Sequence, residues 1–390
     1  MIIHKLAFKN IYAAGLRTWL SAIALSFSYV AIIFLQGLYN GMNDQIEKAT
    51  VDAQYAGGQY WQMDYDPYDP LSLEDAHGVI PENLANLIAA GKATPILIRQ
   101  ATLYPNGRFQ NALIKGIEPS QRILSIPVSV LETDEAPIAA LIGSRMAKST
   151  GLEMGDYVTV RWRDANGTFD ADEIKIVEIM KTDVSDIDSG QLWISIERMR
   201  KMTAMPHEAT IIVLEKGSPF GEPVDHWKHR DLEFLMRDLR ALFLTKSIGG
   251  SIFYIVLLLL AMLAIFDTQI LSLFRRRKEM GNLMALGMTR SKIIGLFTLE
   301  GAMHAVLAAF VAAVYGLPLL MYVAATGYGL PEATDSFGYA MGNRIFPTYT
   351  AGLIIATTAL VLTVTTIVSY LPTRRIARLN PTDALRGRLS

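Results

Sequence analysis

Residues 275–301 read RRRKEMGNLMALGMTRSKIIGLFTLEG. The stretch lies between two long apolar runs, and what it is decides the fold. Two helices can be joined by about four or five residues. Here a basic connector, punctuated by Gly281 and Gly287, is used instead. Met280, Leu283, Met284 and Leu286 fall at helical spacing, and Thr289 is placed to cap a following helix that begins SKIIGLFTLEG. The connector therefore reads as a short amphipathic helix. Two roles fit it: a helix lying among lipid headgroups, or a docking helix whose apolar side chains enter a partner's groove.

The composition frames that choice. Of 390 residues, 51% are hydrophobic and 19% charged, and the mean hydropathy is +0.27. This is too apolar for a soluble chain and too polar for one wholly in membrane, so a few spanning helices accompany a folded polar domain. The net charge of −1 supplies no field for nucleic acid. There is no cysteine, which excludes thiolate catalysis, cysteine zinc sites and disulfides.

Four runs are long enough for a hydrocarbon core of about 30 Å: 18–39, 249–273, 294–325 and 349–371. The first lacks a small-residue cleavage site and reads as an anchor rather than a cleaved signal. Lys5, Lys9 and Arg17 precede it; Arg275, Arg276, Arg277, Lys278, Arg290 and Lys292 lie between the second and third; Arg374, Arg375, Arg378, Arg386 and Arg388 follow the fourth. Basic residues collect on the cytoplasmic side. Both ends, 1–17 and 372–390, and the connector 274–293 are thus expected inside, with 40–248 and the short loop 326–348 outside.

The expected fold is four transmembrane α-helices with a large α+β extracytoplasmic domain, 40–248, inserted between the first and second. Strands are predicted at 94–104, 108–117, 158–162, 173–180, 191–196 and 210–215, with Asn166-Gly167 as a hairpin signal. Helical patterns cover 81–90, 137–150, 197–204 and 223–247. If 223–247 is one helix, His226, His229 and Glu233 share a face that could hold a metal; a solvated helix is the reading preferred. Asp183, Asp186 and Asp188 fail the EF-hand spacing, and DYDPYDP at 64–70 reads as an acidic turn. No P-loop, G-x-S-x-G or H-E-x-x-H occurs. ATP-driven work would have to be powered by another chain.

Within the spans, Asp267, Glu300 and His304 are ionisable, and such residues are costly there. All three lie near the inner end, where Arg275–Arg277 can pair with them and fix the second span against the third. Ser21, Ala22, Ala24, Ser26 and Ser28 give the first span small faces suited to close helix approach.

The connector resembles the signature of the FtsX/MacB superfamily of ABC transporter permeases, a basic R-R-x-E-I-G-x-L-x-A-L-G segment before the third span, on Arg276, Glu279, Gly281, Ala285, Leu286, Gly287, Ile293, Glu300 and Gly301. Met280 stands where the pattern has Ile. The tail YLPTRRIARLNPTDALRG is similar to the family's C-terminal motif on Pro372, Arg374, Arg375, Ala377, Leu379, Pro381, Ala384, Leu385 and Arg386. The opening LAFKNIYAAGLRTWLSAIAL and the segment GSRMAKSTGLEMGDYVTV at 143–160 resemble the family's start and its MacB-type periplasmic core.

The resemblance implies a non-catalytic permease subunit of a type VII, mechanotransmitting ABC transporter in a bacterial inner membrane. Glu279, Met280, Gly281, Leu283, Met284, Leu286 and Gly287 would form the helix seated on a cytoplasmic ATPase dimer, which alone would bind ATP and Mg. A second permease chain, membrane lipids, a lipoprotein cargo and a periplasmic partner complete the implied partners. Spans one and two would line the dimer cavity, with Phe27, Ile33 and Phe34 on one side and Phe253, Leu257 and Leu260 on the other. The size of 40–248 is most similar to the LolC/LolE type, implying extraction of lipoproteins or lipids. The alternatives are MacB-like efflux, or a non-transporting sensor or regulator of cell-wall hydrolases.

Overall fold

The computed structural model describes residues 16–133, 138–218, 224–329 and 344–376. The opening motif before Leu16, the tail motif beyond Ile376 and most of the 326–348 loop lie outside them. The chain divides into two compact units, one formed by residues 1–42, 243–329 and 345–390, the other by 43–242 and 330–344.

The first unit contains helices long and apolar enough to span a membrane. They are α1 (Leu16–Thr50), α6 (Leu232–Arg275), α8 (Arg290–Thr326) and α9 (Ala351–Ile376). Leu25, Tyr29, Val30 and Ile33 of α1 pack with Ile265 of α6, Ala305, Ala308 and Ala312 of α8, and Val361 and Val368 of α9. Small residues set the approach distances. A Cβ at Gly301 would lie 2.1 Å from Ser369 Oγ, and one at Gly316 would lie 2.6 Å from Val30. On α1, Ala22 and Ser26 are buried while Ala24 faces outward, so the small residues serve one face and not the whole helix. The pair Gly37 and Gly41, one turn apart, admits the segment before α9: a Cβ at Gly37 would strike the Tyr349 ring, and one at Gly41 the Phe346 carbonyl. Thr348 N–H donates to Gly37 O at 2.9 Å.

The second unit is the α+β domain. Its nine-stranded sheet comprises β1 (Gln59–Gln62), β2 (Ala93–Leu103), β3 (Gln110–Ile117), β4 (Ala139–Gly143), β5 (Tyr157–Arg163), β6 (Phe169–Met180), β7 (Gln191–Ser195), β8 (Ile211–Leu214) and β9 (Trp227–Arg230), in the order β9-β1-β8-β2-β3-β7-β4-β6-β5. A further β2–β5 pairing, Ala101 opposite Trp162, closes six strands into a ring. The long β2 makes this work: its first half pairs with β8 and its last residues with β5. Strand alternation shows why. In β5, Val158, Val160 and Trp162 point into the ring while Tyr157, Thr159 and Arg161 face solvent. Of the helices α2 (Glu82–Ala89), α3 (Ser144–Thr150), α4 (Ser185–Gly190) and α5 (Ile196–Thr203), α3 and α5 add Met146 and Met199 to that core. A second core covers the other face, built on Ile96, Ile98, Ile117, Leu141 and Trp193.

Three expectations change. Residues 139–143 are a strand, so the 137–150 pattern divides into β4 and α3. QYWQ at 59–62 is also a strand, buried at every position and so without visible alternation. Residues 227–230 form the edge strand β9, with His229 opposite Tyr60, and the helix begins only at Leu232. Asp231 sets that start: its carboxylate accepts the Phe234 N–H at 2.8 Å. His226 sits in a turn at φ 60° and shares no helix face with His229; no metal-binding group occurs among the described residues. Asp188 is buried and accepts the Ser144 N–H at 2.7 Å, so it fixes the start of α3.

Candidate functional site: the connector and its clamp

The connector is helix α7 (Arg277–Ala285), held between α6 and α8. Arg276 breaks the path at φ −97°, ψ 16°. Its stop is equally local. Gly287 takes φ +91°, its N–H donates to Met284 O at 3.0 Å, and Met288 N–H reaches back to Leu283 O at 2.9 Å. This pair of hydrogen bonds with a left-handed glycine is a Schellman C-cap, and Met288 and Leu283 both pack against the same apolar cluster. Thr289 occupies the N-cap position of α8 as expected, with extended backbone, but its side chain makes no capping bond.

Arg276 is the clamp. Its Nη1 lies 2.7 and 2.8 Å from the two carboxylate oxygens of Glu300. Its Nε lies 2.7 Å from Glu279. The guanidinium stands 4.9 Å from the centre of the Phe297 ring. One side chain therefore binds the α6 end, the first turn of α7 and the third turn of α8. Only arginine supplies a planar fork with donors enough for both carboxylates. Glu300 is buried, so its charge must be paired to be tolerated. Of Asp267, Glu300 and His304, Glu300 meets Arg276 of the basic run. His304 does not join it; its Nδ1–H donates to the Glu300 backbone carbonyl at 2.8 Å. Asp267 is exposed on α6.

The two faces of α7 differ in burial. Met280 is 2% exposed and packs with Leu273, Ile293 and Phe297. Leu283 and Met284 are half-buried in the same cluster, and Gly281 is buried. Glu279, Leu286 and Gly287 face outward, with Leu286 at 84% exposure. The apolar stripe is therefore an internal seam against α8, and the outward surface is polar with one apolar knob. The spacing alone could not show this, since a seam and a docking face have the same period.

The expected dimer-cavity residues separate likewise. Phe27, Phe253 and Leu260 are exposed. Ile33 is buried in the helix core, and Phe34 packs against that core with its ring edge-on to Tyr328, 5.9 Å away. Leu257 is half-buried.

One family match spans this region. Residues 251–381 match the family model described as FtsX-like permease C-terminal. A Methanocaldococcus jannaschii protein named an uncharacterized ABC transporter permease is 30% identical over 134 residues, covering 33% of this chain and 30% of that relative's length. The extracellular domain of a noncanonic ABC-type transporter, YknZ, from Gram-positive bacteria aligns with 14% identity over 41% of this chain and 83% of that domain, at a TM-score of 0.27. The α+β fold described above stands on its own strand pairings.

Proposed function

We propose that this chain, whose residues 251–381 match an FtsX-like permease C-terminal domain, is an ABC transporter permease of the FtsX/MacB superfamily, a non-catalytic subunit worked by a separate ATPase. The observation that carries the proposal is the clamp. With Arg276 bound to both Glu279 and Glu300, α7 is fastened to α8. A push on α7 is then passed to a spanning helix rather than absorbed by a loose loop. The ATPase groove would receive the outward tip around Leu286 and Gly287, while Met280 and Leu283 keep the seam. Residues 43–242, outside the membrane, would be the moving part that meets the cargo, with both termini and the connector cytoplasmic in a bacterial inner membrane.

The cargo assignment rests on the resemblance to LolC/LolE-type chains and names lipoproteins or lipids of the outer leaflet. The test is purification of the tagged, detergent-solubilised chain, with bound partners and acylated species identified by mass spectrometry. An ABC ATPase that is lost with Leu286→Asp, together with acylated protein, supports the whole reading. An ATPase without acylated species moves the cargo to MacB-like efflux. Absence of any ATPase in preparations that retain a second permease chain sinks the transporter reading.

A further inference from the structure

The α+β unit contains a cavity of 590 Å³ on the outer face of the strand ring. Its position follows from strand register. Lys115 of β3 lies opposite Ile98 of β2 and Trp193 of β7, residues of the second apolar core. Alternation therefore turns Lys115 into that core rather than toward solvent, and it is 6% exposed. Its ammonium stands 5.1 Å from the centre of the Trp193 ring. It makes no hydrogen bond or ion pair among the described residues. Burial pushes it down to about 8, with Asp186 acting in the opposite direction. At neutral pH the cavity thus holds a cation that lacks an anion at contact distance, which is costly.

Two side chains that line the same space carry buried donors. Trp193 Nε1 and Arg230 Nε are buried and have no hydrogen-bond partner among the described residues. The walls mix aromatic and charged side chains: Trp61 meets Tyr65 edge-on at 5.2 Å and Phe234 at 5.9 Å, Arg230 stands 4.1 Å from the Phe234 ring centre, and Asp64, Asp66, Asp186 and Asp238 also line the space. Ile96 and Ile211 add apolar lining. The volume falls within the range of about 300–1,000 Å³ usual for small-molecule sites.

We propose that this cavity is a binding site for a small, flat, apolar carboxylic acid, its carboxylate at Lys115 and its body between Trp61, Tyr65 and Phe234. One buried ammonium calls for one negative charge. Buried donors on the lining residues Trp193 and Arg230 favour a ligand that brings acceptor oxygens, as a carboxylate does. The aromatic walls favour an offset or edge-on aromatic body. The site lies wholly within residues 54–238 and does not depend on the transporter reading.

The test is calorimetric titration of the full detergent-solubilised chain with 2-naphthoate, beside 2-naphthamide, which has the same shape without the charge. Saturable one-to-one binding of the acid is expected, weakened at least tenfold both for the amide and in Lys115→Met. The proposal is overturned if the acid does not saturate, if the amide binds as tightly, or if Lys115→Met binds the acid unchanged. The acid–amide comparison on the unaltered chain decides the matter even where the variant does not fold. Partition into detergent micelles is recognised as heat that does not saturate in either protein, and counts against the proposal.

Discussion

Arg276 and Glu300, 24 positions apart, meet through one guanidinium nitrogen lying within 2.8 Å of both carboxylate oxygens. That contact joins the end of the second span to the start of the third, and the same arginine holds Glu279 on the connector between them. Removing one member of a buried pair leaves the other uncompensated, at a cost of about 3–5 kcal/mol where burial is complete. Arg276 keeps some exposure and Glu279 as a partner, so a smaller loss is expected here.

Glu300→Ala should therefore lower the thermal midpoint in detergent by several degrees, and lower ATPase activity in the assembled complex by more than it lowers expression. Arg276→Lys should show the same direction, because an ammonium cannot fork to both carboxylates. The double change Arg276→Met with Glu300→Leu should recover midpoint but not activity. Recovery of both would show that the pair serves stability alone. The readouts are midpoint, expression and ATP turnover measured on the same preparations.

The two faces of α7 should respond differently. Met280→Ala opens a cavity against Ile293 and Phe297, and core truncations of this kind cost about 2–5 kcal/mol. Leu286→Ala, on the exposed tip, should change stability by about 0.5 kcal/mol or less. Thermal midpoints of the two variants check this; equal losses would mean that the seam is not formed.

Gly41→Ala should destabilise although alanine is the better helix former by about 1 kcal/mol. The added Cβ would lie 2.0 Å from the Phe346 carbonyl oxygen, a backbone atom that cannot swing aside. Gly249→Ala is the control, since a Cβ there has nothing within 4 Å, and it should be neutral or stabilising. Size-exclusion profiles after heating compare the two, and equal behaviour would contradict the close approach of α1 to residues 346–349.

Lys115 links stability to pH. Folded, its ammonium titrates near 8; its ordinary value is 10.5. Between those values the unfolded chain holds more protons, so its contribution makes stability rise with pH over that window. Below it both states are charged and the burial penalty is present in full. Lys115→Met should raise the midpoint at pH 7 and flatten the rise between pH 8 and 10.5. Tryptophan fluorescence follows this unit, since Trp61, Trp162, Trp193 and Trp227 lie in it and only Trp19 of the five lies elsewhere. Parallel pH profiles for the two proteins would show that the ammonium is not held in a dry site.

The sequence by itself determined the spans, because a membrane crossing is a matter of apolar length, which composition shows directly. It also determined most strands of the α+β unit, wherever one face is wet and alternation is visible, as in Tyr157–Arg163. The local stop at Gly287 and the N-cap position of Thr289 were legible for the same reason: both are settled within a few residues. Tertiary structure decided the rest. WKHR at 227–230 has no period that distinguishes strand from helix, and only pairing with Gln59–Gln62 made it an edge strand. Met280 and Leu283 had the spacing of a docking face, and only contact with Ile293 and Phe297 made them a seam. Glu300 met Arg276 because the helix break at Arg276 brings that side chain to α8. Lys115, one polar residue in a strand, gave no sign of burial until two neighbouring strands placed Ile98 and Trp193 beside it. Periodicity fixes which residues share a face. What that face meets is fixed only when distant segments pack.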